Sequence, residues 1–157
     1  MKEQKDYQKF LESKQKSHIL SGFEIEESEL NSNLFPFQKF IVKRALKAGK
    51  YAIFADCGLG KTLMQLSWAN EVSKKTNKRV LILAPLAVVE QTRQEAKKFN
   101  IDIDCFDADN YEQINNIDSY SYGGVVLDES SILKNFEGAT KKLIIDNFAH
   151  TPYKLAC

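Results

Sequence analysis

The stretch ADCGLGKT, at residues 55–62, contains the residue types that a phosphate-binding loop needs. It follows the Walker A pattern G-x-x-x-x-G-K-[S/T], in which glycines let backbone N–H groups wrap around phosphate oxygens. Gly58 and Gly60 would provide that freedom in this chain. Lys61 would reach the β- and γ-phosphates of a nucleotide, and the Thr62 hydroxyl would ligate Mg²⁺.

An ordinary glycine turn between a strand and a helix, with an incidental lysine, is the alternative for this loop. Ala55 replaces the first glycine of the pattern, which weakens the match but keeps a small residue there. An apolar run precedes the loop and helical periodicity follows it, as phosphate binding at a helix N-terminus requires. We therefore predict a nucleotide-phosphate site formed by Asp56, Cys57, Gly58, Leu59, Gly60, Lys61 and Thr62.

An acidic pair, Asp128 and Glu129, follows a second apolar run. An aspartate at a strand end can hold Mg²⁺ through water, as a second metal-binding residue beside Thr62, and an adjacent glutamate can polarise the water that attacks a γ-phosphate. The alternative is a turn whose acidic residues cap the next helix. Because the acidic pair and the phosphate loop are predicted to lie at the same sheet, the pair favours a nucleoside triphosphate hydrolase. Its catalytic residues would be Lys61, Asp128 and Glu129.

The apolar pattern predicts the elements that must position these residues. Short apolar runs alternate with segments of helical periodicity, which indicates an α/β fold with a mainly parallel sheet covered on both faces. In such sheets, ligands bind beyond the carboxyl ends of the strands, where the loop and the acidic pair both fall. The predicted strands are 51–55, 79–85, a weaker one at 101–106, 123–128 and the start of a last one at 153–157. The predicted helices are 36–48, 61–76, 87–99 and 139–148.

The helix at 36–48 is predicted from Pro36 near its start, Gly49 past its end, and a periodic set between them. That set is Phe37, Phe40, Ile41, Arg44, Ala45 and Ala48. Residues 1–33 are rich in lysine and glutamate, and we expect a short amphipathic helix at 2–17 followed by a solvated connector. The chain thus divides into a charged lead-in at 1–33 and one domain at 34–157.

Composition excludes several classes of protein. The 157 residues carry a formal net charge of +1, so any nucleic-acid contact would have to be local. Cys57, Cys105 and Cys157 are widely spaced and far from histidine, which argues against zinc and favours reduced thiols. The N-terminal stretch MKEQKDYQKF lacks the apolar core of a signal peptide, and no run approaches the roughly 20 apolar residues of a membrane span. We expect a cytoplasmic protein.

Four stretches occur in an order that resembles superfamily 2 helicases: FPFQ, ADCGLGKT, LAPLAVVEQ and LDESSILKN, matching motifs Q, I, Ia and II. DESSILKN is most similar to the corresponding box of Swi/Snf-like translocases, particularly those of phages and prophages. The resemblance covers residues 34–157. It implies a three-layer RecA-like P-loop NTPase lobe that uses ATP and Mg²⁺, in the host cytoplasm if the protein is phage-encoded.

The resemblance also implies two binding roles. Gln38 matches the glutamine that reads adenine, whose N6/N7 edge complements a carboxamide; the alternative is a surface glutamine on an amphipathic helix. The motif at LAPLAVVEQ implies contact with a nucleic-acid backbone, DNA more than RNA, at a helix N-terminus. Its alternative is a capped helix with a solvated face. The implied nucleic-acid residues are Pro85, Leu86, Gln91 and Arg93.

The end of the chain departs from the resemblance. The stretch TPYKLAC resembles the approach to motif III, but its Ser/Thr-Ala-Thr signature does not follow. We therefore expect a lobe truncated near motif III, without the second RecA-like lobe and its arginine finger, which is worth about 10³ to 10⁵ in rate in related systems. Such a lobe would bind ATP with little turnover until a second lobe and nucleic acid complete it. The alternatives are a non-catalytic ATP- or nucleic-acid-binding module and another P-loop enzyme such as a nucleotide kinase.

Overall fold

The computed structural model describes residues 20–56, 58–134 and 138–157. Within these residues five strands form one parallel sheet in the order β1-β5-β4-β2-β3. The strands are β1 (Lys50–Ala52), β2 (Arg79–Ala84), β3 (Phe106–Asn110), β4 (Tyr122–Leu127) and β5 (Tyr153–Ala156). The α-helices are α1 (Pro36–Ala48), α2 (Lys61–Thr76), α3 (Leu86–Lys98) and α4 (Gly138–Asn147).

Helices cover both faces of the sheet, which confirms the predicted three-layer α/β architecture. Alternate residues of β2 point to opposite faces, as the period of a strand requires. Val80, Ile82 and Ala84 join the apolar cluster with α1, α2 and α3. Leu81 and Leu83 join the cluster with Ile144 on α4 and Phe148 just after it. A strand buried on both faces reads as a continuous apolar run, which is why β2 could be predicted.

The predicted bounds of α1 are confirmed, but its predicted face is wrong in part. The helix begins at Pro36 and ends before Gly49, whose φ of 76° is readily adopted by glycine. The buried residues of α1 are Gln38, Val42, Ala45 and Leu46. Phe37 and Phe40 are 46% and 64% exposed. The buried face is rotated from the predicted one because α1 packs this side against α2.

Two predicted strands are displaced. Residues 101–105 of the strand predicted at 101–106 are not extended into a strand. Asp102 accepts a hydrogen bond from Asp104 N and caps a 3₁₀ turn at Ile103–Cys105, and β3 starts only at Phe106. The strand predicted at 51–55 is the three-residue edge strand β1. Ile53 N still donates to Ala156 O, but Phe54 is 93% exposed.

The described part of the lead-in packs on the domain. Gly22 N and Phe23 N donate to carbonyls of the last turn of α1, Leu30 is buried, and Asn31 Nδ2 donates to Phe99 O. The helix predicted at 2–17 lies outside the described residues. None of the described helices is long and apolar enough to cross a membrane.

Candidate nucleotide-binding site at the carboxyl edge of the sheet

The loop predicted to bind phosphate leads from β1 into α2. Leu59 N donates to Asp56 O at 3.3 Å, which closes a turn, and Gly58 and Gly60 have φ of 83° and 74°. Only glycine adopts such angles without strain, so both positions need it. Lys61 then opens α2 and is half-buried. The N-terminus of this helix adds partial positive charge where a phosphate would lie.

Gln38 joins α1 to the phosphate loop. It is 3% exposed, so it is not a surface glutamine. Its Oε1 accepts from Phe35 N and its Nε2 donates to Leu59 O, both at 2.8 Å. The one side chain therefore both caps the start of α1 and holds the phosphate loop in place. Each end of the amide keeps one further hydrogen-bonding position for a ligand.

The two glycines differ in what a side chain would meet, which gives a prediction. A Cβ at Gly60 would overlap Gln38 Nε2, whereas a Cβ at Gly58 has no atom within 4 Å. Gly60→Ala should cost about 2–3 kcal/mol, from backbone strain and loss of the Gln38 bond to the loop. Gly58→Ala should cost about 1–2 kcal/mol of strain alone. Urea unfolding of both variants measures the difference.

The control for this prediction is the same pair of substitutions made in Gln38→Ala. Without the amide, Gly60→Ala should cost no more than Gly58→Ala. Equal costs in the natural background would mean that the contact between Gln38 and the loop is not as described.

Asp128 directly follows β4 and is held on several sides. Its N–H donates to Leu83 O at 2.8 Å, and its Oδ1 accepts from Gln65 Nε2 at 2.6 Å and from Glu129 N at 3.0 Å. Its carbonyl accepts from Tyr111 OH at 2.6 Å. Burial, and then the nearby Asp128 charge, raise the pKa of Tyr111 well above its ordinary value, so the phenol stays a donor.

Glu129 has a φ of 52°, a conformation that costs a non-glycine residue about 1–3 kcal/mol and is frequent at functional sites. The turn is fixed by Cys157, the residue after β5, since Cys157 N donates to Leu127 O and Ser130 N donates to Cys157 O. The result is an exposed carboxylate that lines a cavity of about 270 Å³ with Asp56 and Lys61. The structure thus brings the two predicted motifs together.

Thr62 and Asp128 are the predicted metal ligands. Thr62 is half-buried in the first turn of α2, the helix whose Gln65 contacts Asp128. Among the described residues no group of three or more His, Cys, Asp or Glu side chains could hold a metal ion. One hydroxyl and one carboxylate fit Mg²⁺ that arrives with phosphate, because Mg²⁺ takes few protein ligands and keeps phosphate and water oxygens.

A second cavity, of about 410 Å³, is lined in part by the phosphate loop. Gln38, Gly58 and Leu59 line it together with two aromatic rings, Phe35 and Phe37. The two rings stack with 6.2 Å between centroids and 8° between planes. Flat apolar walls beside an amide suit a planar heterocycle. We did not assign these rings a role from sequence, although their position next to Gln38 was a usable signal.

The predicted nucleic-acid residues lie on or beside α3. Pro85 precedes the helix, and Leu86, its first residue, is exposed. Gln91 Nε2 donates to Glu95 Oε1 at 3.2 Å. Arg93 donates to Ala108 O at 2.8 Å, so its guanidinium also joins α3 to β3. Their nucleic-acid role stays a prediction.

Two buried residues of the site were missed from sequence. Gln65 and Tyr111 hold the side chain and the carbonyl of Asp128, yet each reads as an ordinary element residue in the sequence. Cys157 lies beside them. Burial raises the pKa of its thiol to about 11, against the effect of a Gln65 hydrogen bond, so the thiol is protonated at neutral pH.

The fold and this edge define the class of the protein: it is an α/β lobe of the RecA-like type. The chain is similar to the UvsW helicase from bacteriophage T4, with a TM-score of 0.69 and 15% identity over 87% of this chain and 56% of that one. It is also similar to the SWI2/SNF2 ATPase core of Sulfolobus solfataricus in complex with dsDNA, with a TM-score of 0.68 and 20% identity. That match covers 84% of this chain and 33% of the other.

Residues 31–151 match the family described as type III restriction enzyme, res subunit, and the chain belongs to this family. A second structure of T4 UvsW matches with a TM-score of 0.68 and 15% identity, over 87% of this chain and 32% of that one. The chain therefore spans from about a third to just over half of the structures that it resembles. None of the curated proteins compared with the sequence matches it.

Proposed function

We propose that the chain is the ATP-binding lobe of an ATP-dependent DNA helicase or translocase. The observation that carries the proposal is the cavity at the carboxyl edge of the sheet, where Lys61 and Glu129 face one space. A phosphate-binding lysine and a carboxylate able to orient water are what nucleoside triphosphate hydrolysis needs together. A glycine turn with an incidental lysine does not explain why a strained glutamate lines the same cavity.

The residues would divide the work as follows. Lys61 and the loop N–H groups bind the phosphates, and Thr62 and Asp128 hold the metal, directly or through water. Glu129 orients water and accepts its proton. Mg·ATP, when bound, supplies the phosphoryl group and the charge that the metal neutralises.

The cavity lined by Gln38, Phe35 and Phe37 would take the base. A ring stacked on either phenylalanine would present its edge toward the remaining hydrogen-bonding positions of Gln38. This arrangement supports ATP over a phosphate ligand without a base, such as inorganic pyrophosphate.

Nucleic acid and a second RecA-like lobe are the proposed partners. The Sulfolobus solfataricus ATPase core, which shares the fold, was solved in complex with dsDNA, and we propose DNA for this chain as well. The structures that match are longer than this lobe, which supports completion by further chain. We propose that this further part is a second lobe that carries an arginine finger. More specifically, we propose a Swi/Snf-like enzyme of a phage or prophage that works in the host cytoplasm.

The experiment is a titration of the chain with a fluorescent ATP analogue, with Mg²⁺ and with excess EDTA. We expect saturable binding that Mg²⁺ strengthens and that unlabelled ATP and ADP reverse. Pyrophosphate should compete at least about tenfold more weakly than ADP because it lacks the base. Absence of binding by a folded chain, shown by circular dichroism, would contradict the proposal.

A non-catalytic ATP- or nucleic-acid-binding module is the second candidate. The strained, exposed Glu129 beside Lys61 argues against it, because binding alone does not need a carboxylate close to the phosphates. Phosphate release with and without dsDNA separates the two. Slow release that dsDNA stimulates favours the lobe of a motor, and none under any condition favours the module.

A further inference from the structure

We propose that Gln65 is a positioning residue that fixes the Asp128 carboxylate for Mg²⁺ and couples it to the helix carrying the phosphate loop. The inference rests on the proposed function, since it concerns how the same site holds its metal. No motif assigned this glutamine a role.

The geometry of α2 places Gln65 between the two motifs. Residues three and four apart on a helix share a face, so Gln65 lies one turn below both Thr62 and Lys61. It is 1% exposed, and its Nε2 donates to Asp128 Oδ1 at 2.6 Å. A movement of the first turn of α2 on phosphate binding would therefore be transmitted to the acidic pair through one hydrogen bond.

The hydrogen bonds around Asp128 leave one of its oxygens for a metal. Oδ1 accepts from both Gln65 Nε2 and Glu129 N. Among the described residues Oδ2 has no hydrogen-bond or ion-pair partner. A carboxylate held through one oxygen and open at the other is the usual arrangement of a metal ligand oriented by a neighbouring donor.

A buried glutamine that merely fills space is the competing explanation. Gln65 Oε1 is buried without a hydrogen-bond partner, and an unpaired amide oxygen in a core is destabilising. A leucine or methionine would fill the same volume without that cost. The donation to Asp128 Oδ1 at 2.6 Å, together with the hydrogen bond to the Cys157 thiol, accounts for an amide at this position.

The test compares Gln65→Met with the natural chain and with Ser67→Ala. Met keeps the length and helix preference of Gln but removes the donor. Ser67 is the matched control because it is also on α2, buried, and has an unpartnered hydroxyl, with no hydrogen bond to Asp128. The measurement is the Mg²⁺ concentration at half-maximal strengthening of ATP-analogue binding, alongside binding in EDTA and the thermal midpoint.

We expect Gln65→Met to raise the half-maximal Mg²⁺ concentration at least about tenfold, as loss of such a donor typically does. Binding in EDTA should change by less than about threefold, and Ser67→Ala should change neither value. An unaltered Mg²⁺ dependence in Gln65→Met overturns the inference while leaving the proposed function intact. Failure of the natural chain to bind nucleotide at all overturns the proposed function instead.

A measurement on the natural chain covers the case in which Gln65→Met does not fold. The Gln65 side-chain amide resonance should shift when Mg²⁺ is added to the chain loaded with the ATP analogue, because its acceptor then ligates the metal. The amide of Gln94, exposed on α3, is the internal reference. A Gln65 resonance that Mg²⁺ does not move overturns the inference.

Discussion

Replacing Lys61 with alanine should weaken binding of Mg·ATP by about ten- to a hundredfold without unfolding the chain. Hydrogen bonds to charged groups contribute about 1.5–3 kcal/mol, and about 1.4 kcal/mol corresponds to a factor of ten. Lys61 is half-buried at the start of α2 and forms no ion pair with the described residues, so its removal leaves no buried partner. The substitution should therefore lower the affinity for the nucleotide and leave the free energy of unfolding unchanged.

Lys142→Ala is the matched control for this variant. It removes the same charge from an exposed position on α4, on the opposite face of the sheet from α2. Titration with the fluorescent analogue should show unchanged affinity for Lys142→Ala. Equal losses in both variants would indicate general charge attraction, and full affinity in Lys61→Ala would show that the loop does not bind phosphate.

The parts of the site that could be predicted from sequence are those fixed by local chemistry. The loop needs two glycines with positive φ and a lysine after them, and these requirements appear directly as residue types. β2 and β4 are continuous apolar runs because a parallel sheet buries both faces. Once parallel strands are assigned, their carboxyl ends meet at one edge, so the meeting of the loop and the acidic pair follows.

The parts that could not be predicted depend on contacts between distant segments. The buried face of α1 is set by its packing on α2, and Phe37 and Phe40 are exposed although their spacing is helical. The start of β3 is set by the capped turn at Asp102, which competes locally with the strand. The roles of Gln65 and Tyr111 depend on their hydrogen bonds to Asp128, which is distant in sequence and is brought close by the fold.

The conformation of Glu129 shows how these two kinds of information combine. The residue type is visible in the sequence, but its positive φ is held by a distant segment, through the hydrogen bonds of Cys157, the residue after β5, to the turn. Strain of this kind persists only when surrounding structure holds it. The segment at the end of β5 is therefore part of the site, because it holds the acidic pair in place.

Replacing Trp68 with alanine should lower the free energy of unfolding by about 3–5 kcal/mol, a large share of the about 5–15 kcal/mol typical of such domains. Trp68 is fully buried in α2 and packs against Gly124 of β4, where an added Cβ would lie 3.3 Å from the indole. This contact joins the helix of the phosphate loop to β4, the strand that Asp128 directly follows. Loss of this contact should make both the phosphate loop and the acidic pair less rigidly held.

Urea unfolding followed by far-ultraviolet circular dichroism is the suitable measurement, because Trp68 is the single tryptophan and its fluorescence is lost in the variant. Trp68→Phe should cost less than the alanine variant, since the ring refills part of the cavity and removes the unpartnered indole N–H. Phe40→Ala, at a ring 64% exposed, is the control and should cost under about 1 kcal/mol. A loss for Trp68→Ala as small as that of the control would show that α2 does not pack on β4 as described. That result would also contradict the inference that α2 couples the phosphate loop to the acidic pair.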